Sequence, residues 1–156
     1  MKRVIFYLLI ISLSYLIALV FLLSETIRLL EPFRIGLTCT IIGGLGGCLY
    51  CLRAVYLNAA VRNQWSSQWH IWYYLRPLVS LGCGGVSYLF LRAGLLVLES
   101  GTKPDASEIG FYALAFIAGF NVDKFIKKLE DVSEAVWGIE KSRASNIKEN
   151  KEDSNV

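Results

Sequence analysis

Cys48 and Cys51 frame the tetrapeptide Cys-Leu-Tyr-Cys, a spacing that serves thiol–disulfide exchange or half of a zinc site in water-soluble proteins. Either chemistry needs more than the pair. There is no second CxxC, the sole histidine is His70, and the other cysteines, Cys39 and Cys83, sit in apolar runs. Cysteine also serves as a small buried hydrophobe. That is the role expected of all four, with no metal-ligating residues. Arg92 is the next residue whose place invites chemistry, because it alone interrupts an uncharged run at 77–98. A charge at the bilayer centre costs about 3 kcal/mol on insertion scales and much less near the interface. Arg92 therefore either snorkels to the outer headgroups or faces inward, pairing with Glu99 or lining a pore. No Ser/His/Asp set, phosphate loop or pair of intramembrane carboxylates accompanies it. The chain is read as a non-enzyme with no catalytic residues and no cofactor.

The elements that must carry these residues are marked by runs without charge. The chain has 156 residues, 54% of them apolar. Soluble domains also approach half apolar, so the clustering decides. Residues 4–23 contain no charge, and further apolar runs follow at 35–52, 77–98 and 109–122. At about 1.5 Å per residue, twenty helical residues cross a hydrocarbon core of about 30 Å. A domain this small has too little interior to hide four helices that are apolar all round. The expected fold is an all-α membrane protein with four transmembrane helices in a domain over 1–122. The first run follows Lys2 and Arg3 as in a secretory signal, but it is longer than a signal h-region. Ser24-Glu25-Thr26 also offers no small-residue cleavage site, so it is read as an uncleaved helix. Pro77 suits the first turn of the third helix.

The run at 109–122 would make only about 21 Å of helix, too little to span alone. Its pattern continues, however. Phe125, Leu129, Val132 and Val136 recur at steps of four, three and four among Lys and Glu residues. The expectation is one unbroken helix leaving the membrane near Asp123 and continuing as a cytoplasmic amphipathic extension over 123–141. A re-entrant fourth segment is the alternative. Residues 142–156 are polar with no apolar period, which predicts a disordered tail.

Charge sets the orientation. Lys2 and Arg3, then Arg53, Arg62 and Arg76, then Lys124, Lys127 and Lys128 share one side if all four runs span. Residues 99–108 carry three acids and one lysine and fall on the other side. Positive residues favour the cytoplasm, so both termini are expected there, in a multi-pass protein of the inner (plasma) membrane. No cysteine then lies in an outer loop, and no disulfide framework is expected. A nucleic-acid partner would call for a basic stripe on one face. None is visible.

Two further patterns concern packing and anchoring. Gly43 and Gly47 make a GxxxG pair within Gly43-Gly44-Leu45-Gly46-Gly47, and Gly84 and Gly119 lie on small-residue faces of the third and fourth runs. Small residues let helices approach closely in lipid, either within one chain or between copies. Four glycines in five residues also suit a broken helix lining a site. Trp65, Trp69 and Trp72 share a helical face before the third run, which predicts a short interfacial helix anchoring the inner loop.

The stretch Trp72-Tyr73-Tyr74-Leu75-Arg76-Pro77, with residues 81–85 and Arg92-Ala93-Gly94-Leu95-Leu96 after it, resembles small four-helix bacterial inner-membrane proteins. So does Ala115-Phe116-Ile117-Ala118-Gly119-Phe120 followed by a charged helix. Some members of that group look like membrane components of anti-phage defence systems, the Kiwa membrane subunit among them. The resemblance covers the second half of the chain and implies no functional residues. The expected function is an oligomeric membrane sensor or effector, in contact with the lipid bilayer and working with a cytoplasmic protein partner in antiviral defence. Phe125, Leu129, Val132 and Val136 would form its seam. A small channel or transporter using Arg92 is the alternative.

Overall fold

The computed structural model describes residues 2–24, 31–62, 69–94 and 106–139. Five α-helices run in order: α1 (Lys2–Leu23), α2 (Glu31–Tyr56), α3 (His70–Arg92), α4 (Ala106–Phe120) and α5 (Val122–Trp137). A π-helical turn, Leu57–Val61, follows α2. The chain divides into two compact units, Met1–Val122 and Asp123–Val156.

By length and composition, α1 and the stretch Pro32–Val61 can each cross a membrane. Glu108–Phe120 and Val122–Trp137 reach that standard only as a pair, so the described residues hold two such helices, or three if the pair is one span. Four were expected. The difference lies in α3 and α4. With 23 residues, α3 is about 34 Å long, but His70, Arg76, Arg92 and its hydroxyls dilute its hydropathy. With 15 residues, α4 reaches only about 22 Å.

The boundaries moved for physical reasons. Instead of starting at Pro77, α3 starts at His70, so Pro77 lies inside the helix. Its ring removes the N–H that would reach the Tyr73 carbonyl, and the helix continues through that loss. Trp72, Tyr73 and Tyr74 thus lie in the first two turns of α3, and Trp69 stands immediately before it. Trp65, the start of the expected interfacial helix, lies outside the described residues. The α3 helix ends at Arg92, where Ala93 N–H reaches Leu89 O at 2.9 Å and Gly94 N–H reaches Leu91 O at 3.0 Å. Gly94 has φ 73°, the left-handed stop that glycine tolerates best. The remainder of the expected third segment, 95–98, lies outside the described residues.

The expected unbroken fourth helix is also interrupted. Asn121 forms a turn between α4 and α5, its N–H bonded to Ile117 O at 2.9 Å. Gly119 and Asn121 are both poor helix formers, so the interruption falls where propensity is weakest. The predicted tail at 142–156 lies outside the described residues.

Within the first unit, α2 is central, touching α1, α3 and α4, while α3 also meets α4. Its interior is small and hydroxylated. Thr38, Cys39, Cys48, Cys51, Ser80, Ser87, Ala115 and Ala118 are buried, whereas Phe6, Leu9, Ile10, Leu13, Ile17, Val20 and Phe21 of α1 are exposed. The buried hydroxyls return to their own helices. Thr38 Oγ1 donates to Arg34 O at 2.8 Å and Ser87 Oγ to Gly84 O at 2.7 Å.

Two clusters bracket the bundle. Val4 and Leu8 of α1 pack with Cys51, Val55 and Tyr73 at one end. Cys39, Tyr88 and Ala115 pack at the other. The glycines lie between them.

Candidate functional site

The most constrained part of the first unit is the crossing of α2, α3 and α4. Gly43, Gly47, Gly84 and Gly119 all lie there. A Cβ on Gly43 would stand 2.6 Å from the Gly84 Cα and 2.7 Å from the Ser80 carbonyl oxygen. A Cβ on Gly84 would stand 2.5 Å from the Cys39 carbonyl oxygen. On Gly119 it would run into the Gly43 carbonyl, and on Gly47 into the Ser80 side chain. Such contacts put backbone against backbone, the geometry small residues permit in lipid. Gly46 belongs to the same crossing, since a Cβ there would lie 2.5 Å from Phe116 O. Residues 41–50 form continuous α-helix, so the glycine run packs without breaking.

Ser80 ties the crossing together. Its hydroxyl lies 2.8 Å from Arg76 O on its own helix and 2.9 Å from Gly119 O on α4. One hydroxyl proton serves these two acceptors, so it is shared between α3 and α4.

One turn before Ser80, Arg76 is 5% exposed. Its guanidinium carbon stands 4.7 Å from the Tyr50 ring centroid and 5.3 Å from that of Trp72. Tyr50 meets Trp72 edge-on at 5.9 Å and Phe120 at 5.5 Å. A guanidinium on ring faces gains both electrostatic and stacking contact. Charge-free runs make Arg76 a boundary residue, yet it belongs to the inner stripe of α3. Tyr73, Arg76, Pro77, Ser80, Cys83, Gly84, Ser87 and Tyr88 are buried at helical spacing. That spacing is visible in the chain, but it is carried by small and polar residues that a search for apolar periodicity passes over.

Trp72 is half-buried in this aromatic group and meets Trp69 edge-on at 6.4 Å. Trp69 is exposed. Trp65 lies outside the described residues.

At the opposite end of α3, Arg92 is exposed and sits in the last helical turn. Its Nη1 donates to the Tyr88 hydroxyl at 2.8 Å, and that hydroxyl donates to Pro32 O at 2.8 Å. Arg92 therefore sits at a helix end. Glu99, the expected partner, lies outside the described residues.

All four cysteines are buried free thiols. Among the described residues no cluster of His, Cys, Asp or Glu could hold a metal ion.

The second unit presents α5. Val122, Phe125, Leu129, Val132 and Val136 fall within roughly 80° of arc at 3.6 residues per turn. Phe125 is buried, Leu129 and Val132 are half-buried, and Val136 is exposed with Trp137 beyond it. Asp123, Lys124, Lys127, Lys128, Asp131 and Glu134 lie opposite, and the exposed Ile126 and Trp137 flank the apolar face on one side.

Comparisons with protein-family models, curated proteins and solved structures gave no match.

Proposed function

We propose that the chain is a non-enzymatic, multi-pass inner-membrane protein that crosses four times and acts through α5. In this reading α3 and α4 complete the two crossings that their composition and length leave open. Support comes from the inverted interior, with hydroxyls and small residues inside and Leu, Ile and Phe outside. Hydrocarbon solvates an apolar exterior, whereas water would penalise one of this extent. Charge asymmetry supports a cytoplasmic side for both termini.

The observation that carries the functional part is the apolar face of α5, exposed at Ile126, Val136 and Trp137 and opposite a charged face. An exposed apolar face repeating at steps of four, three and four suits a helical seam with a second copy or a cytoplasmic protein. The protein is thus an oligomeric sensor or effector subunit. The resemblance of its second half to small bacterial inner-membrane proteins, some of which look like components of defence systems, extends the proposal to antiviral defence.

Replacing Phe125, Leu129 and Val132 together by Ser tests the seam. Single-molecule photobleaching in native membranes should show several steps per spot for the unaltered protein and one for the variant, with equal membrane insertion. Equal step counts would remove α5 from self-association. Unchanged recovery of cross-linked cytoplasmic partners as well would end the proposal.

A further inference from the structure

An apolar groove of about 280 Å³ opens between α2 and α3, lined by Phe33, Leu37 and Thr40 on one side and Gly85, Tyr88 and Leu89 on the other. It exists because side chains are missing. Gly36 has none, and a Cβ there would press on the Tyr88 ring at 3.0 Å. Gly85 has none, and a Cβ there would stand 2.9 Å from Thr40 Oγ1.

Arg92 lies one helical turn beyond the groove residues Tyr88 and Leu89. Tyr88 fixes it there. The phenol uses its proton on Pro32 O and accepts from Arg92 Nη1, so the ring that walls the groove also anchors the guanidinium. A guanidinium has five N–H donors in a planar fork suited to phosphate, and this contact uses one of its nitrogens.

We propose that this groove holds one acyl chain of an anionic phospholipid whose phosphate is bound by Arg92. The two halves of the site select the ligand together. A neutral apolar molecule gains nothing from the guanidinium, and a soluble anion gains nothing from the apolar slot. The volume lies at the small end of ligand pockets, which fits a single chain. A headgroup without an ammonium beside its phosphate leaves the Arg92 attraction unopposed. The site rests on membrane placement of the chain but not on the role of α5.

The full-length protein is placed in nanodiscs of equimolar phosphatidylglycerol and phosphatidylcholine, released into mild detergent, and weighed intact by native mass spectrometry. One retained phosphatidylglycerol per chain is expected. Arg92→Gln should lower the retained phosphatidylglycerol-to-phosphatidylcholine ratio about tenfold, the scale of one charged hydrogen-bonding interaction. Arg92→Lys should recover part of it. Leu37→Trp should fill the groove and expel both lipids. Leu37 and Leu89 are exposed on the groove rim, so Leu89→Trp repeats the test if Leu37→Trp does not fold. Equal retention of the two lipids, or retention unchanged in Arg92→Gln, would mean annular lipid only and overturn the site. Failure of the unaltered protein to enter nanodiscs would overturn the membrane placement as well.

Discussion

Gly119→Ala should destabilise the first unit by about 3 kcal/mol or more, the upper end of overpacking costs. The added methyl meets the Gly43 carbonyl, which is backbone and cannot rotate away. Gly43→Ala should behave alike, because its methyl would lie 2.6 Å from the Gly84 Cα. Gly82→Ala is the control. Nothing lies within 4 Å of a Cβ at Gly82, so the change should be neutral or stabilising by about 0.5–1 kcal/mol through reduced backbone freedom. Gly85→Ala should fall between, since its methyl would meet the movable Thr40 hydroxyl at 2.9 Å. Unfolding midpoints in one detergent check the series. Matching midpoints for Gly119→Ala and Gly82→Ala would show that the α2–α4 approach is looser than described.

The second large effect separates the two arginines of α3. Arg76→Ala should cost about 2–4 kcal/mol, combining a lost cation–π arrangement with a cavity among large side chains. Arg76→Lys should lose an intermediate amount, because an ammonium keeps the charge but not the planar stacking on Tyr50 and Trp72. Arg92→Ala removes an exposed side chain whose described bond goes to Tyr88, and its midpoint should move little. Tyrosine and tryptophan near-ultraviolet dichroism gives an independent readout. Arg76→Ala should alter it, because Tyr50 and Trp72 both lie against the guanidinium, whereas Arg92→Ala should leave the tryptophan bands unchanged. The same midpoint for both alanine variants would contradict the burial of Arg76.

The helical class and the positions of α1 and α2 were legible in residues 4–23 and 35–52, because unbroken apolar runs leave one structural option in a bilayer. The ends of α3 were not. Absence of charge suggested a start at Pro77, but the inner face of α3 is its more polar one, so Arg76 read as a boundary while lying inside. Proline also misled. It favours a first turn but is tolerated seven residues later, after His70 and the aromatic stretch have already formed helix. The stop at Arg92 depends on Gly94 adopting a left-handed backbone, a choice that an apolar run through Leu98 conceals. The break at Asn121 was hidden likewise, because the apolar spacing of α5 continues in step from α4.

The small-residue positions were easier. Gly43, Gly47, Gly84 and Gly119 stand out in composition alone, and the structure gathers them at one crossing. Their pairing through Ser80, and the aromatic enclosure of Arg76 beside it, depend on which faces of three helices meet. Spacing within one helix carries no such information.

Four crossings with both termini in the cytoplasm are the premise on which the α5 seam depends. Fusions to alkaline phosphatase and to green fluorescent protein after residues 28, 64, 103 and 156 test it most directly. The account predicts phosphatase activity with dark fluorescent protein after 28 and 103, and the reverse after 64 and 156. Fluorescence after 103 would mean that α3 does not cross, and phosphatase activity after 156 would place α5 on the wrong side for a cytoplasmic partner.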